Sequence, residues 1–156
     1  MQSVSHGFLG TSAPFSADVN LILQLAMAAA LLAGAWLARR KLFAAHGICQ
    51  ATVLLLNLVP IATVMWPSFH GLVLPRFAKH LHSRFYLVAT MHGTLGIIAE
   101  LFGLYIALVA GTNLVPRRLR FNRWKLWMRF ELALWWVVLI SGVVTYGVWY
   151  GVPHLP

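Results

Sequence analysis

Residues 85–110 read FYLVATMHGTLGIIAELFGLYIALVA, and this run decides the fold. It holds one carboxylate, Glu100, one imidazole, His92, and no Lys or Arg. A bilayer's hydrocarbon core is about 30 Å thick and needs roughly 20 apolar residues in α-helix. Lipid offers no partner to backbone N–H and C=O groups, so such a run must close its hydrogen bonds internally. A helix does so alone, and the short alternating segments of a membrane β-barrel are not the pattern here.

Working outward, residues 19–38, 46–66 and 132–150 have the same character. Of the 156 residues 60% are hydrophobic and only 10% charged, with a mean hydropathy of +0.77. A soluble domain carries about half apolar and a quarter charged residues. The expectation is all-α: one transmembrane domain over residues 1–156, an integral membrane four-helix bundle. The first apolar run is too long for the h-region of a cleaved signal, and no Lys or Arg precedes Arg39, so the first span is expected to be retained. Cys49, the single cysteine, excludes an internal disulfide framework.

Direction follows from the cations, which favour cytoplasmic connectors. Arg39, Arg40 and Lys41 follow the first span; Arg117, Arg118, Arg120, Arg123, Lys125 and Arg129 follow the third. Arg76, Lys79 and Arg84 lie in the second connector. The weight of charge puts connectors one and three inside and both termini outside. A net charge of +9 would suggest nucleic acid in a soluble chain, but here it sits between apolar spans, and nucleic acid is not an expected partner. Residues 117–130 interleave those cations with Phe121, Trp124, Trp127 and Phe130. They read as a membrane-surface stretch facing anionic lipid, with docking to a partner subunit as the other reading.

Polar residues at membrane depth are costly and mark function by default. Asn57, Glu100 and Ser141 each lie about ten residues from the charged end of their span, roughly 15 Å deep. They are expected to form a buried polar layer between helices, or to place Glu100 as a proton-handling group or a support for a bound cofactor. Pro60, mid-span, frees the carbonyl of Leu56 and predicts a kink beside Asn57. Gly96, Ala99, Gly103 and Ala107 form a small-residue stripe for close helix approach.

Seven histidines are many for so few charges. His46 falls at the cytoplasmic side, while His70, His80, His82 and His92 lie in or near the outer connector and His6 and His154 in the termini. Imidazole ligates haem iron, copper and zinc. His70 and His92 are the candidate pair for haem b or a metal, and His80 and His82 the alternative metal ligands; interfacial or helix-bridging histidines are the competing reading. Copper ranks lower, since Cu(I) delivery prefers Cys and Met.

His46 opening the second span, His70 near its end, YLVATMH at 86–92 and WWVVLISGVVTY at 135–146 together resemble the YozB/CtaM family of four-span bacterial membrane proteins. The resemblance covers about residues 40–150. It implies a multi-pass protein of the bacterial plasma membrane, tied to assembly or activity of haem–copper terminal oxidases and with no established reaction of its own. His46, His70 and His92 match family histidines, whereas the family's histidine in the basic connector has no counterpart around Phe121, Asn122 and Arg123. Three functions follow as expectations. The first is a non-catalytic accessory or assembly subunit of a respiratory or other electron-transfer complex, with other membrane subunits as partners. The second is a haem-b electron carrier, and the third an outer-face copper or zinc handler. No P-loop and no Ser, His and acid constellation points to a hydrolase or nucleotide enzyme.

Overall fold

The computed structural model describes residues 7–80 and 82–151 and is all-α, with no strand among them. His6 and His154 lie outside the described residues. Four helices, Phe15–Arg39, Phe43–Phe77, Arg84–Gly111 and Trp124–Tyr150, are each long and apolar enough to cross a membrane. They run up and down as an antiparallel bundle, the first packing mainly on the second and the third on the fourth.

One end of the bundle gathers both ends of the described chain. Ser12 N–H donates to the Tyr150 carbonyl at 3.4 Å. Phe85, which opens the third helix, stacks on Trp149 with centroids 4.5 Å apart. The opposite end holds the basic turns. Lys41, at φ 62°, takes a left-handed conformation that ends the first helix and lets the Leu42 N–H reach back to the Leu37 carbonyl at 3.0 Å. In the third connector the Tyr105 hydroxyl donates to the Leu119 carbonyl. Arg120 donates to the carbonyls of Val115 (3.0 Å) and Thr112 (3.1 Å), so this cation braces its own loop. Phe121 and Trp127 pack edge-on and tilted against Phe102, Tyr105 and one another. Arg117, Arg118, Arg123, Lys125 and Arg129 remain exposed.

Two boundaries differ from the sequence expectation. The fourth helix begins at Trp124, because nothing between Arg123 and Tyr150 breaks it, so half of the basic stretch is its first turns. The second helix does not stop at Trp66 but continues to Phe77. Pro60 closes the regular α-helix of Phe43–Pro60, and the chain goes on as a wide π turn over Ile61–Met65. Pro67, seven residues later, precedes a second π turn over Phe69–Val73, and Leu74–Lys79 finishes as a 3-10 turn. A proline lacks the N–H that an α-turn needs, and widening the turn accommodates the loss without ending the helix. Thr63 Oγ1 donates to the Val59 carbonyl at 2.8 Å within the first wide turn.

Met27, Leu31, Val53, Leu54, Ala99, Trp135, Val138 and Leu139 form the buried core. The small-residue stripe works as expected at Ala99, which is 1% exposed, and at Gly103. A Cβ on Gly103 would sit 2.7 Å from both Leu54 Cδ2 and Glu131 Oε1. Gly103→Val is therefore expected to overpack the junction of helices two, three and four. It should lower stability by about 1 to 3 kcal/mol, read as a drop in thermal midpoint of the detergent-solubilised protein. An unchanged midpoint would show that these helices do not meet at Gly103.

Candidate functional site

The chain has only three carboxylates, and all three are buried: Asp18 at 0%, Glu100 at 5% and Glu131 at 9% relative exposure. Glu100 and Asp18 are each bonded from another helix, Glu131 from its own. Gln24 on the first helix donates through Nε2 to Asn57 Oδ1 at 2.9 Å, and Asn57 Nδ2 donates to Glu100 Oε2 at 2.9 Å. This ladder joins helices one, two and three. The sequence paired Asn57 and Glu100 correctly but assigned nothing to Gln24.

Ser141 does not join that layer. Its hydroxyl donates to the Val138 carbonyl at 2.8 Å and lies 3.1 Å from His92 Nδ1. Glu131 takes a place beside the third helix at Gly103 and accepts from Trp135 Nε1 at 2.8 Å. Among the described residues Glu100 Oε1 and Glu131 Oε2 have no hydrogen-bond partner. The spacing Glu131 to Trp135, one helical turn, was the signal for this pair.

At the end that gathers the termini, Asp18 accepts from the Leu9 N–H at 2.8 Å and from the Tyr146 hydroxyl, which also meets Thr11 Oγ1 at 2.8 Å. One carboxylate thereby fastens the segment before the first helix onto the fourth. Nothing in the sequence read Asp18 this way, because an acid in the first turn of a helix is ordinary dipole complementarity.

Between these two clusters lies a cavity of about 410 Å³, lined from all four helices. That is within the 300 to 1,000 Å³ typical of ligand pockets. Its walls are mostly apolar and aromatic, including Phe69, Trp135 and Trp136. Ile97, Ile140 and Val143 border it and are themselves exposed, so it reaches the lipid-facing surface. Among its polar neighbours are Asn20, Gln24, Asn57 and His92.

The geometry of His92 fixes how it meets this space. Its Nδ1 lies 3.2 Å from the Val138 carbonyl, which can only accept. The Ser141 hydroxyl also lies within donating distance of that same carbonyl, at 2.8 Å. With the proton on Nδ1 the ring donates to that carbonyl, and Nε2, which has no hydrogen-bond partner among the described residues, is then an acceptor. The ring approaches closely because residue 142 is glycine: a Cβ there would lie 3.0 Å from His92 Cε1.

The other histidines are placed elsewhere. His70 sits in the second π turn, exposed, with its ring 5.9 Å from that of Trp66, and it does not border the cavity. His80 meets Tyr86 edge-on at 5.4 Å and His82 is exposed. His46 ties the first two helices, its Nδ1 2.8 Å from the Gly34 carbonyl. Among the described residues no three His, Cys, Asp or Glu side chains converge as metal ligands. A haem held by two histidines would need a second imidazole facing His92 and cations for its propionates; among the described residues the cavity wall has neither. The residues present do not fit that group, although His92, like His46, has the backbone-anchored Nδ1 that an axial ligand requires.

Set against protein-family models, curated proteins and solved structures, the chain gives no significant match.

Proposed function

We propose that this chain is a non-catalytic accessory or assembly subunit of a membrane electron-transfer complex of the haem–copper oxidase type, resident in a bacterial plasma membrane. One observation carries the reading: a chamber open to lipid, presented with one oriented imidazole nitrogen and otherwise mostly apolar walls. Such a chamber suits holding an apolar group. Glu100 and Asp18 are engaged in tying helices together, through Asn57 and Tyr146, and Glu131 accepts from Trp135 on its own helix. The oxidase assignment comes from the sequence resemblance around His46, His70, 86–92 and 135–146, and the orientation with both termini outside from the distribution of cations.

The test is recovery of the tagged chain from native membranes in mild detergent, together with respiration of a deletion strain. Co-purification with terminal-oxidase subunits and reduced oxidase activity on deletion are expected. A chain recovered alone from cells whose oxidase activity is unchanged would exclude the role. An absorption spectrum of the same preparation separates the electron-carrier reading. A Soret band that disappears in His92→Ala would make the chain a haem carrier; a featureless spectrum is the expected result.

A further inference from the structure

We propose that a shallow recess at the start of the fourth helix binds one anionic phospholipid from the surrounding leaflet, its head phosphate among Arg123, Lys125 and Arg129 and an acyl chain along the helix. The inference goes beyond the accessory role and does not depend on it.

The recess has a volume of about 500 Å³ and is lined by Asn122, Arg123, Trp124, Lys125, Leu126 and Arg129. Three of these are cations, and all three are exposed. The chain has no acid to pair with them: its three carboxylates, Asp18, Glu100 and Glu131, are all buried in the bundle, so no acidic side chain stands on its surface. The counterion comes from outside. Arg120, by contrast, is engaged by the Val115 and Thr112 carbonyls of its own loop and does not border the recess.

Depth determines which anion is within reach. The apolar run of this helix opens at Leu132, so Arg129 and Lys125 stand about 5 and 10 Å beyond it at the helical rise of 1.5 Å per residue. That is the level of lipid headgroups and of the long side chains that reach into them. The wall is fixed in advance, since Trp124 meets Phe121 edge-on at 5.7 Å and Phe121 packs on Trp127 at 5.2 Å. No side chain caps the helix at Arg123, and the N–H groups of Trp124 and Lys125 have no acceptor among the described residues. They add donors to a recess that the cations already define.

Two further observations select the lipid. Leu126, Phe130, Val137 and Val144 are all exposed, and at 3.6 residues per turn they fall within about 40° of one another. They make an apolar track that begins in the recess and runs along the helix into the membrane. A phosphate joined to an acyl chain covers both recess and track, whereas an acidic peptide arriving from water leaves the track bare. The second observation is the missing acid. A zwitterionic head would bring an ammonium into a site with three cations and no carboxylate, while a net anionic head brings only the charge that the site lacks.

The experiment is native mass spectrometry of the full chain in detergent, titrated with dioleoylphosphatidylglycerol or dioleoylphosphatidylcholine. Saturable retention of one phosphatidylglycerol per chain is expected, about tenfold tighter than phosphatidylcholine, with no competition from glycerol phosphate, the head without its chains. Replacing Arg123→Gln, Lys125→Gln and Arg129→Gln together should weaken phosphatidylglycerol binding by about a hundredfold. Replacing Lys41→Gln, Arg117→Gln and Arg118→Gln together removes the same charge from the same end of the bundle and should change it by less than about threefold, because exposed charges at a distance are screened. Equal affinity for the two lipids, competition by glycerol phosphate, equal losses in the two triple variants or no saturable adduct would each overturn the inference. So would a recess variant that keeps its phosphatidylglycerol and instead loses other membrane subunits on purification, which would give the surface to an acidic partner. Thermal midpoints check that both variants fold; the comparison of the two lipids on the wild-type chain decides the matter without them.

Discussion

Asn57→Leu is expected to lower the thermal midpoint of the solubilised protein by about 5 to 10 °C, corresponding to about 2 to 3 kcal/mol at this chain length. Asn57 is the only rung between Gln24 and Glu100 in the ladder described above, accepting from one and donating to the other. Interhelical hydrogen bonds in lipid contribute about 0.6 to 2 kcal/mol each. The loss here is larger than one such bond, because Glu100 Oε1 already lacks a described partner and Oε2 would then lack one too. The double substitution Asn57→Leu with Glu100→Leu should recover part of the loss, since removing both partners of a buried polar contact costs less than orphaning one. If the single substitution leaves the midpoint unchanged, or the double one is worse than additive, the ladder does not hold the helices together.

Asp18→Ala should release the segment before the first helix. The carboxylate is the shared acceptor for the Leu9 N–H and the Tyr146 hydroxyl, so its loss removes both ties at once. Hydrogen exchange at the Leu9 amide is expected to accelerate by about tenfold or more, the signature of a local opening that has lost its main support. Exchange in the core around Val138 and Leu139 should hardly change. Tyr146→Phe removes the hydroxyl's contacts with Asp18 and Thr11 but keeps the bond from the Leu9 N–H to Asp18, and at Leu9 it should fall between wild type and Asp18→Ala. Equal exchange at Leu9 in all three proteins would mean that the segment is held by other contacts.

The helices were legible because the solvent for this chain is lipid, and continuous apolar length is a strong signal there. The third helix, Arg84–Gly111, lies within one residue of the expected 85–110 at either end. The second does not, because a proline such as Pro67 reads as a stop, whereas a bundle that packs around it can widen one turn and carry on. Within the site, Asn57 and Glu100 were found by depth alone. Depth carries no azimuth: Ser141 has the right level but faces His92, and that orientation depends on how the third and fourth helices pack. Gln24 and Asp18 were missed since one polar residue on an apolar span, or one acid in a first turn, gives no hint of its partner until the helices are assembled. The pairing of His70 with His92 rested on a similar count along the chain, and His70 stands exposed in the second π turn, outside the cavity lining.

The long second helix sets a condition on the membrane around it. Its 35 residues from Phe43 to Phe77 would measure about 50 Å at ordinary helical rise, against a hydrocarbon slab of about 30 Å. Tilt alone does not absorb so large an excess. The stretch beyond the second wide turn must stand clear of the acyl chains or bend along the headgroups, carrying Arg76 and Lys79 with it. That projection sets the hydrogen-bonded turn of Leu74–Lys79 among the headgroups or in the aqueous layer beyond them.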